Sequence, residues 1–406
     1  FINAAPAHMG GSVTYLQNVL RWLPEVAAGA SFVAYVPPVT HAKLAPLANA
    51  CVEVRAYPYD RTQGPARLYF DQVAIPRMLR RGGFDVLFSA TGFGTFKSPC
   101  PQVLLIRNMA YFDPQFRATY RALGRSLTRN TLRRWHSLLS MRCADAVLFP
   151  TWATRDTVAH YVSLSGKPTE VIHYGFDRER FFASESAPPE IAARMRRWRA
   201  EGTKVLLSVS TYAVHKNFET LVAALPYLRH AGCPVRLVTT TSRDRTSDKA
   251  EYDALQRTAH ELGVAEDWIE TGYVAYDRLQ HLYQEADAYV FPSFTESFGH
   301  SLVEAMASGR PVVAADTPVN REVCGPAGVF FDTFDPEACA RAIERVLTDE
   351  AQCEALATAS LERAEHFSWR HYTARLVALF RELVREGNDG RPTVADRSGM
   401  RQARGG

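Results

Sequence analysis

Short apolar runs of strand length recur along this chain with longer helical patterns between them, and the alternation runs through twice. The runs fall at residues 31–36, 86–89, 103–106, 146–149, 205–209, 235–239, 288–291 and 312–315, with helical spacing at 12–23, 217–228 and 276–285 among the intervals. Strands separated by helices make βαβ units, and βαβ units make parallel sheets. The pattern holds to about residue 185 and restarts near Lys204. A Ser-Glu-Ser-Ala-Pro-Pro stretch at 184–189 lies between, followed by a polar helix over 194–199. At 406 residues the chain is too long for one ordinary domain, and 47% hydrophobic residues supply two cores. The expectation is α/β: two Rossmann-like domains over 1–185 and 186–370, then a closing helix over 371–386. The last stretch, 387–406, is rich in Gly, Arg, Asp and Ser, and reads as a disordered tail.

Several classes drop out early. A net charge of +4 gives no nucleic-acid signature. Cys51, Cys100, Cys143, Cys233, Cys324, Cys339 and Cys353 are dispersed with no Cys-x-x-Cys pair, as expected of reduced cytosolic thiols. No apolar run reaches the roughly 18–20 residues that span a bilayer, and no signal peptide is evident. The opening Phe1-Ile2-Asn3 reads as the end of a strand. No Gly-x-Gly-x-x-Gly follows the first strand, which argues against a Rossmann dehydrogenase.

The densest chemistry lies in Phe291-Pro-Ser-Phe-Thr-Glu296-Ser-Phe-Gly-His-Ser-Leu-Val-Glu304, continuing through Ala305-Met-Ala-Ser-Gly309-Arg-Pro-Val-Val-Ala-Ala315. A strand ends at Phe291, a loop carries Ser297-Phe298-Gly299, and a helix begins near His300. Gly309 and Pro311 stop that helix before the next strand. Open α/β sheets bind ligands at loops of this kind, at the carboxyl ends of strands. The amides of Phe298, Gly299, His300 and Ser301 start the helix, and amides plus helix dipole suit a diphosphate. Glu296 and Glu304, seven residues apart in between, can accept hydrogen bonds from hydroxyl-rich ligands. An isolated pair of glutamates would read as solvated; the complete string makes them a candidate site.

The string resembles that of the large family 4 of retaining nucleotide-sugar glycosyltransferases (glycosyl transferases group 1), which have the GT-B fold, two Rossmann-like domains facing across a cleft. Their hallmark is Glu-x7-Glu within Glu-x-Phe-Gly…Glu-Ala-x-Ala-x-Gly-x-Pro-Val-Val. Ala144–Pro150, Val171–Asp177, Thr271-Gly-Tyr-Val274 and Phe367-Ser-Trp369 resemble further landmarks of the family. The resemblance covers most of 2–385 and is strongest over 205–332. It implies an N-terminal acceptor domain, a C-terminal donor domain and a last helix crossing back to the first. It also implies a metal-independent, retaining hexosyltransferase with no cofactor beyond its nucleotide-diphosphate sugar. Glu304 would hold the donor ribose and Glu296 the transferred sugar. Amides near Phe298, Gly299, His300, Ser301 and Leu302 would hold sugar and β-phosphate, and Val274 would adjoin the base. In Val209-Ser-Thr-Tyr-Ala-Val-His-Lys-Asn217 the family's phosphate-contacting basic pair becomes Thr211 and Lys216, and the resemblance implies that Lys216 would be the main cation on the leaving phosphate. Asn217 joins the donor set, and His215 adds a donor. Gly10 and Gly11, in a strand-to-helix turn, would face the donor. Arg107 and Asn108 stand where many members have His-Asp, an acceptor-side assignment that does not transfer directly.

Arg117, Arg121, Arg125, Arg129 and Arg133 recur every four residues, which on one helix makes a cationic ridge. That ridge predicts either docking to an anionic membrane surface or lipid-diphosphate acceptor, or a solvated face with carboxylate partners. The expected place of work is the cytoplasm, with a peripheral position at the inner membrane face under the first alternative. The expected partners are a nucleotide sugar and a glycan or lipid-linked acceptor in polysaccharide or glycoconjugate assembly, without nucleic acid. Mannose, rhamnose and glucose donors all remain open. The competing functions are an epimerase or phosphorylase of the same fold, or a catalytically silent nucleotide-sugar binding module.

Overall fold

The computed structural model of the chain describes residues 1–5, 7, 11–58, 64–182 and 186–388. Gly10 and the expected linker residues 184 and 185 lie outside these, as do residues 389–406 of the expected tail; residues 387 and 388 belong to a helix, Trp369–Asn388. Contacts divide the chain into two compact units. The first comprises Phe1–Gly175 with the chain from Ser368 onward, and the second Phe176–Phe367. The division thus falls ten residues before the expected boundary at 185/186, and the last helix belongs to the first unit.

Among the described residues the first unit holds β1 (Ile2–Asn3), β2 (Phe32–Val36), β3 (Val52–Ala56), β4 (Leu87–Ser89), β5 (Gln102–Leu105), β6 (Ala146–Phe149) and β7 (Thr169–Val171). They form one parallel sheet in the order β3-β2-β1-β4-β5-β6-β7. The central strands β5 and β6 are buried throughout, as parallel strands covered on both faces must be. The helix Trp369–Asn388 packs against the helix Gly11–Val26, where the hydroxyls of Tyr15 and Tyr372 meet at 2.8 Å in the core.

The second unit holds β8 (Lys204–Ser208), β9 (Val235–Thr239), β10 (Trp268–Glu270), β11 (Ala288–Phe291), β12 (Val312–Ala315) and β13 (Gly328–Phe331), all parallel, in the order β10-β9-β8-β11-β12-β13. Leu206, Val290 and Val313 from its strands pack with Leu221, Leu225 and Ile343 from its helices in one core. In both sheets the chain builds outward from one strand and then returns to that strand's other side. Such a reversal, here at β1/β4 and β8/β11, opens a crevice beyond the carboxyl ends of the two strands.

One expectation is corrected. The five arginines do not share a helix. Asp113 caps the helix Pro114–Ala122 by accepting from the amides of Gln115 and Phe116 at 2.8 and 3.1 Å. Gly124, at φ 67°, then turns the chain out of helical conformation, and a second helix runs Thr128–Cys143. Arg117 and Arg121 lie on the first helix, Arg125 in the turn, and Arg129 and Arg133 on the second. The result is a basic corner around two hollows, one of ≈ 400 Å³ lined by Arg117, Arg121 and Arg125, the other of ≈ 500 Å³ lined by Arg129 and Arg133. Leu132, Trp135 and Leu139 project beside it at 66%, 61% and 43% exposure, spaced to share one helix face.

Candidate functional site in the second unit

The crevice at β8/β11 is framed by the loops that leave those two strands. The loop after β8 ends in a 3₁₀ turn, Val214–Lys216, and Asn217 then adopts φ 55°, a left-handed conformation that asparagine tolerates better than most residues. The Asn217 side chain explains its presence. Its Nδ2 donates to the carbonyls of Pro292 (3.2 Å) and Thr333 (2.7 Å), and its Oδ1 accepts from Thr220 at 2.9 Å. The amide is fully engaged by protein partners and ties the β8 loop to the β11 loop. Asn320 supports the same loop by donating to the carbonyls of Ser293 and Ala315.

This clasp brings together two residues eighty positions apart. Lys216 Nζ donates to Glu296 Oε1 at 2.5 Å, with both side chains less than one-fifth exposed. The ammonium also stands 5.8 Å from the Phe291 ring centroid. Burial pushes the Glu296 carboxyl up, but the Lys216 ammonium, with His215 and hydrogen bonds from Lys216 and Ser293, outweighs it and holds the group below the ordinary carboxylate value. Glu296 is therefore an anion at neutral pH. His215 goes the other way. Burial first, and the Lys216 charge second, lower it to about 4, so its ring is neutral at pH 7.

Glu304, on the helix His300–Ala307, is buried at 7% exposure. Tyr283 donates to its Oε2 at 2.8 Å. Burial raises the Glu304 carboxyl to about 7, the Tyr283 bond offsetting part of the effect. Gly299 precedes this helix at φ 85°; a side-chain carbon there would stand 2.9 Å from Leu302 Cδ1. Only glycine meets both demands, and the tight turn points the helix start toward the crevice. First-turn amides of a helix lack intrahelical acceptors; here that of Leu302 turns back to Gly299 O at 3.0 Å. Thr211 is exposed on the β8 loop, and Val274 is half-buried on the loop after β10.

The structure thus joins Lys216 to Glu296 and sets Glu304 in the adjoining helix. It leaves Gly11 in the first unit, at the start of the helix Gly11–Val26. Arg107 and Asn108 follow β5 in the first unit, where Arg107 lies 5.2 Å over the Tyr15 ring and Asn108 accepts from the amide of Ala110. Sequence reasoning missed Tyr283 and Asn320. Both act across long sequence gaps, with no local pattern to mark them.

Two families match the chain, one in each half: Glycosyltransferase Family 4 over residues 9–180 and Glycosyl transferases group 1 over residues 192–363. D-inositol 3-phosphate glycosyltransferase 1 of Catenulispora acidiphila is 30% identical over 61% of this chain and 60% of its own length. O-antigen chain mannosyltransferase B of Escherichia coli is 36% identical over 30% of this chain and 32% of its own. The chain therefore matches less than two thirds of the length of these relatives. Among solved structures, sucrose-phosphate synthase from Thermosynechococcus elongatus superposes with TM-score 0.72 at 19% identity, covering 94% of this chain and 98% of that one. Anabaena Alr3699/HepE in complex with UDP-glucose gives 0.68 at 17%, covering 94% and 98%. The two parallel-sheet domains are those of the GT-B class.

Proposed function

From the premise that the chain is a group 1 glycosyltransferase, we propose that it transfers a hexose from a nucleoside-diphosphate donor held by the second unit to a glycan or lipid-linked acceptor held by the first. The observation that carries this is the Lys216–Glu296 pair at the β8/β11 crevice, beside the start of the helix His300–Ala307. A diphosphate there draws on the Lys216 ammonium, which has donors beyond the one given to Glu296, and on the helix amides. Glu296, ionised, accepts from hydroxyls of the sugar, and Glu304 accepts from the ribose. Thr211 and Val274 belong to the same donor set, and Arg107 and Asn108 to the acceptor side.

In the reaction the bond from the anomeric carbon to the phosphate oxygen breaks. Lys216 and the amides stabilise the charge that builds on the departing nucleoside diphosphate. The acceptor hydroxyl attacks from the face the phosphate leaves, passing its proton to that phosphate, so the anomeric configuration is retained. Cationic side chain and helix end supply the charge compensation, and transfer proceeds without a divalent ion. Mannosyl and glucosyl donors are supported by what relatives use: one in Mycolicibacterium smegmatis is named as GDP-mannose-dependent, and HepE was solved with UDP-glucose. The basic corner beside Leu132, Trp135 and Leu139 supports work at an anionic membrane surface, with apolar side chains inserting while arginines meet headgroups.

The test is transfer from a panel of UDP-, GDP- and dTDP-sugars. Lys216→Ala and Glu296→Gln should each lower turnover at least tenfold, about 1.4 kcal/mol or more of barrier, with unfolding behaviour intact. Near-normal turnover in both removes the assignment. Product formed without an acceptor would instead indicate an epimerase.

A further inference from the structure

The second direction change, β1/β4 in the first unit, carries a polar cluster that the donor chemistry does not use. Asn3, at the end of β1, is paired in register with Ser89 at the end of β4. Asn3 Nδ2 donates to Asp71 Oδ1 at 2.9 Å, and Arg67 Nε donates to Asp71 Oδ2 at 2.5 Å. All three residues are buried, Arg67 at 9% exposure and the others at 0%. Asp71 lies on a π-helical turn, Phe70–Ala74, inserted between the helices Pro65–Tyr69 and Ile75–Gly82. Such turns re-aim side chains and concentrate at functional sites. The turn is also fixed from outside. Thr95 Oγ1 donates to Asp71 O (2.8 Å), while Gln72 exchanges bonds with Gly94 O and the amide of Phe96.

What this frame holds is incomplete. Arg67 Nη1 and Nη2 are buried and make no hydrogen bond. Two further groups of the first unit are in the same condition: Thr91 Oγ1, just beyond β4, and His136 Nε2. His136 is within electrostatic reach of Arg67 and Asp71, and its ring stacks on Phe93 at 4.9 Å. Buried polar groups in native proteins are almost always paired, and a guanidinium with two idle nitrogens is among the costliest exceptions. If Arg67 served only to neutralise Asp71, one nitrogen would suffice. The idle groups can all donate, so they ask for an acceptor with several oxygens.

We propose that Arg67, with Thr91 and His136, forms a binding site in the first unit for a phosphate-ester oxyanion, the anionic group of the acceptor. The proposal rests on the reading of the first unit as the acceptor half. The guanidinium edge matches a phosphate through two parallel hydrogen bonds, and the hydroxyl and imidazole serve a further oxygen. Asp71 and Asn3 are positioning residues that hold the guanidinium in one orientation. His136 also lines the ≈ 500 Å³ hollow with Arg129 and Arg133, arginines that raise the local concentration of anions.

The experiment titrates the full chain, at constant ionic strength, with inorganic phosphate, glucose 6-phosphate and farnesyl phosphate, read by calorimetry and thermal shift. It compares wild type, Lys216→Ala and Arg67→Lys. The lysine still neutralises Asp71 but lacks the outward pair of nitrogens. Should it fold poorly, the neutral double variant Arg67→Gln/Asp71→Asn takes its place. The expected result is phosphate binding kept in Lys216→Ala and weakened at least tenfold in Arg67→Lys, whose affinity for nucleoside diphosphate is unchanged. Arg67-dependent binding tighter for farnesyl phosphate assigns a lipid acceptor, and tighter for glucose 6-phosphate a soluble one; either supports the site. Phosphate binding lost in Lys216→Ala but kept in Arg67→Lys overturns the site while leaving the donor assignment standing. No phosphate binding by wild type also overturns it.

Discussion

Replacing Glu304 by Gln should stabilise the unliganded protein, and do so only at neutral to alkaline pH. Burial lifts the Glu304 carboxyl from an ordinary 4.5 to about 7. A group raised in the fold binds its proton more tightly there than in the unfolded chain. Its contribution is thus fully present below about 4.5 and is lost as pH rises through about 7. At ~1.36 kcal/mol per pH unit, the ionised form costs the fold about 3 kcal/mol by pH 8 and under about 1 kcal/mol at pH 5. Glutamine keeps the shape and an oxygen to accept from Tyr283, while removing the charge. Glu304→Gln should therefore melt roughly 6–12 °C above wild type at pH 8, from about 2–4 °C per kcal/mol for a unit of this size, and nearly with it at pH 5. Differential scanning calorimetry at the two pH values reads this directly. A carboxylate retained at this cost is retained for a ligand, so the same variant should bind nucleoside diphosphate more weakly. Equal melting temperatures at pH 8 would refute the reasoning about burial, whatever binding does.

Tyr283→Phe should act in the opposite sense, removing the donor that partly offsets burial of Glu304; the fold should lose about 1 kcal/mol near pH 8 and little at pH 5, measured by the same melts. Gly299→Ala meets a left-handed φ and a 2.9 Å approach to Leu302, so more than about 1 kcal/mol of stability should be lost together with donor affinity, read by melting and nucleotide titration. Exchanging Leu132, Trp135 and Leu139 together for Ser should cut co-sedimentation with vesicles containing phosphatidylserine several-fold while turnover on a soluble acceptor is kept; unchanged sedimentation removes the membrane surface from the account.

What could be read from the sequence follows physical lines. β11 and β12 show as unbroken apolar runs because both faces of a central parallel strand are covered. The outlying strands β3, β7, β10 and β13 escape notice. Val52-Glu-Val-Arg-Ala56 alternates buried and exposed positions, and Thr169–Val171 and Trp268–Glu270 are three residues long. The arginine period of four misleads because one glycine, Gly124, ends the helix that the period assumes. At the site, the motif around Glu296 and Glu304 identifies the loop. The contact with Lys216 exists only because Asn217 and Asn320 hold two loops together across gaps that no spacing rule spans. Arg67 is invisible in sequence for the same reason: its significance lies in the two nitrogens the fold leaves without partners.

The most direct measurement on the central claim is where a nucleoside diphosphate settles on this protein. A co-crystal structure should place the diphosphate within hydrogen-bond distance of Lys216 Nζ and the amides of residues 299–301, with a ribose hydroxyl on Glu304. A nucleotide seated elsewhere on the second unit, with the Lys216–Glu296 pair undisturbed and unapproached, would contradict it.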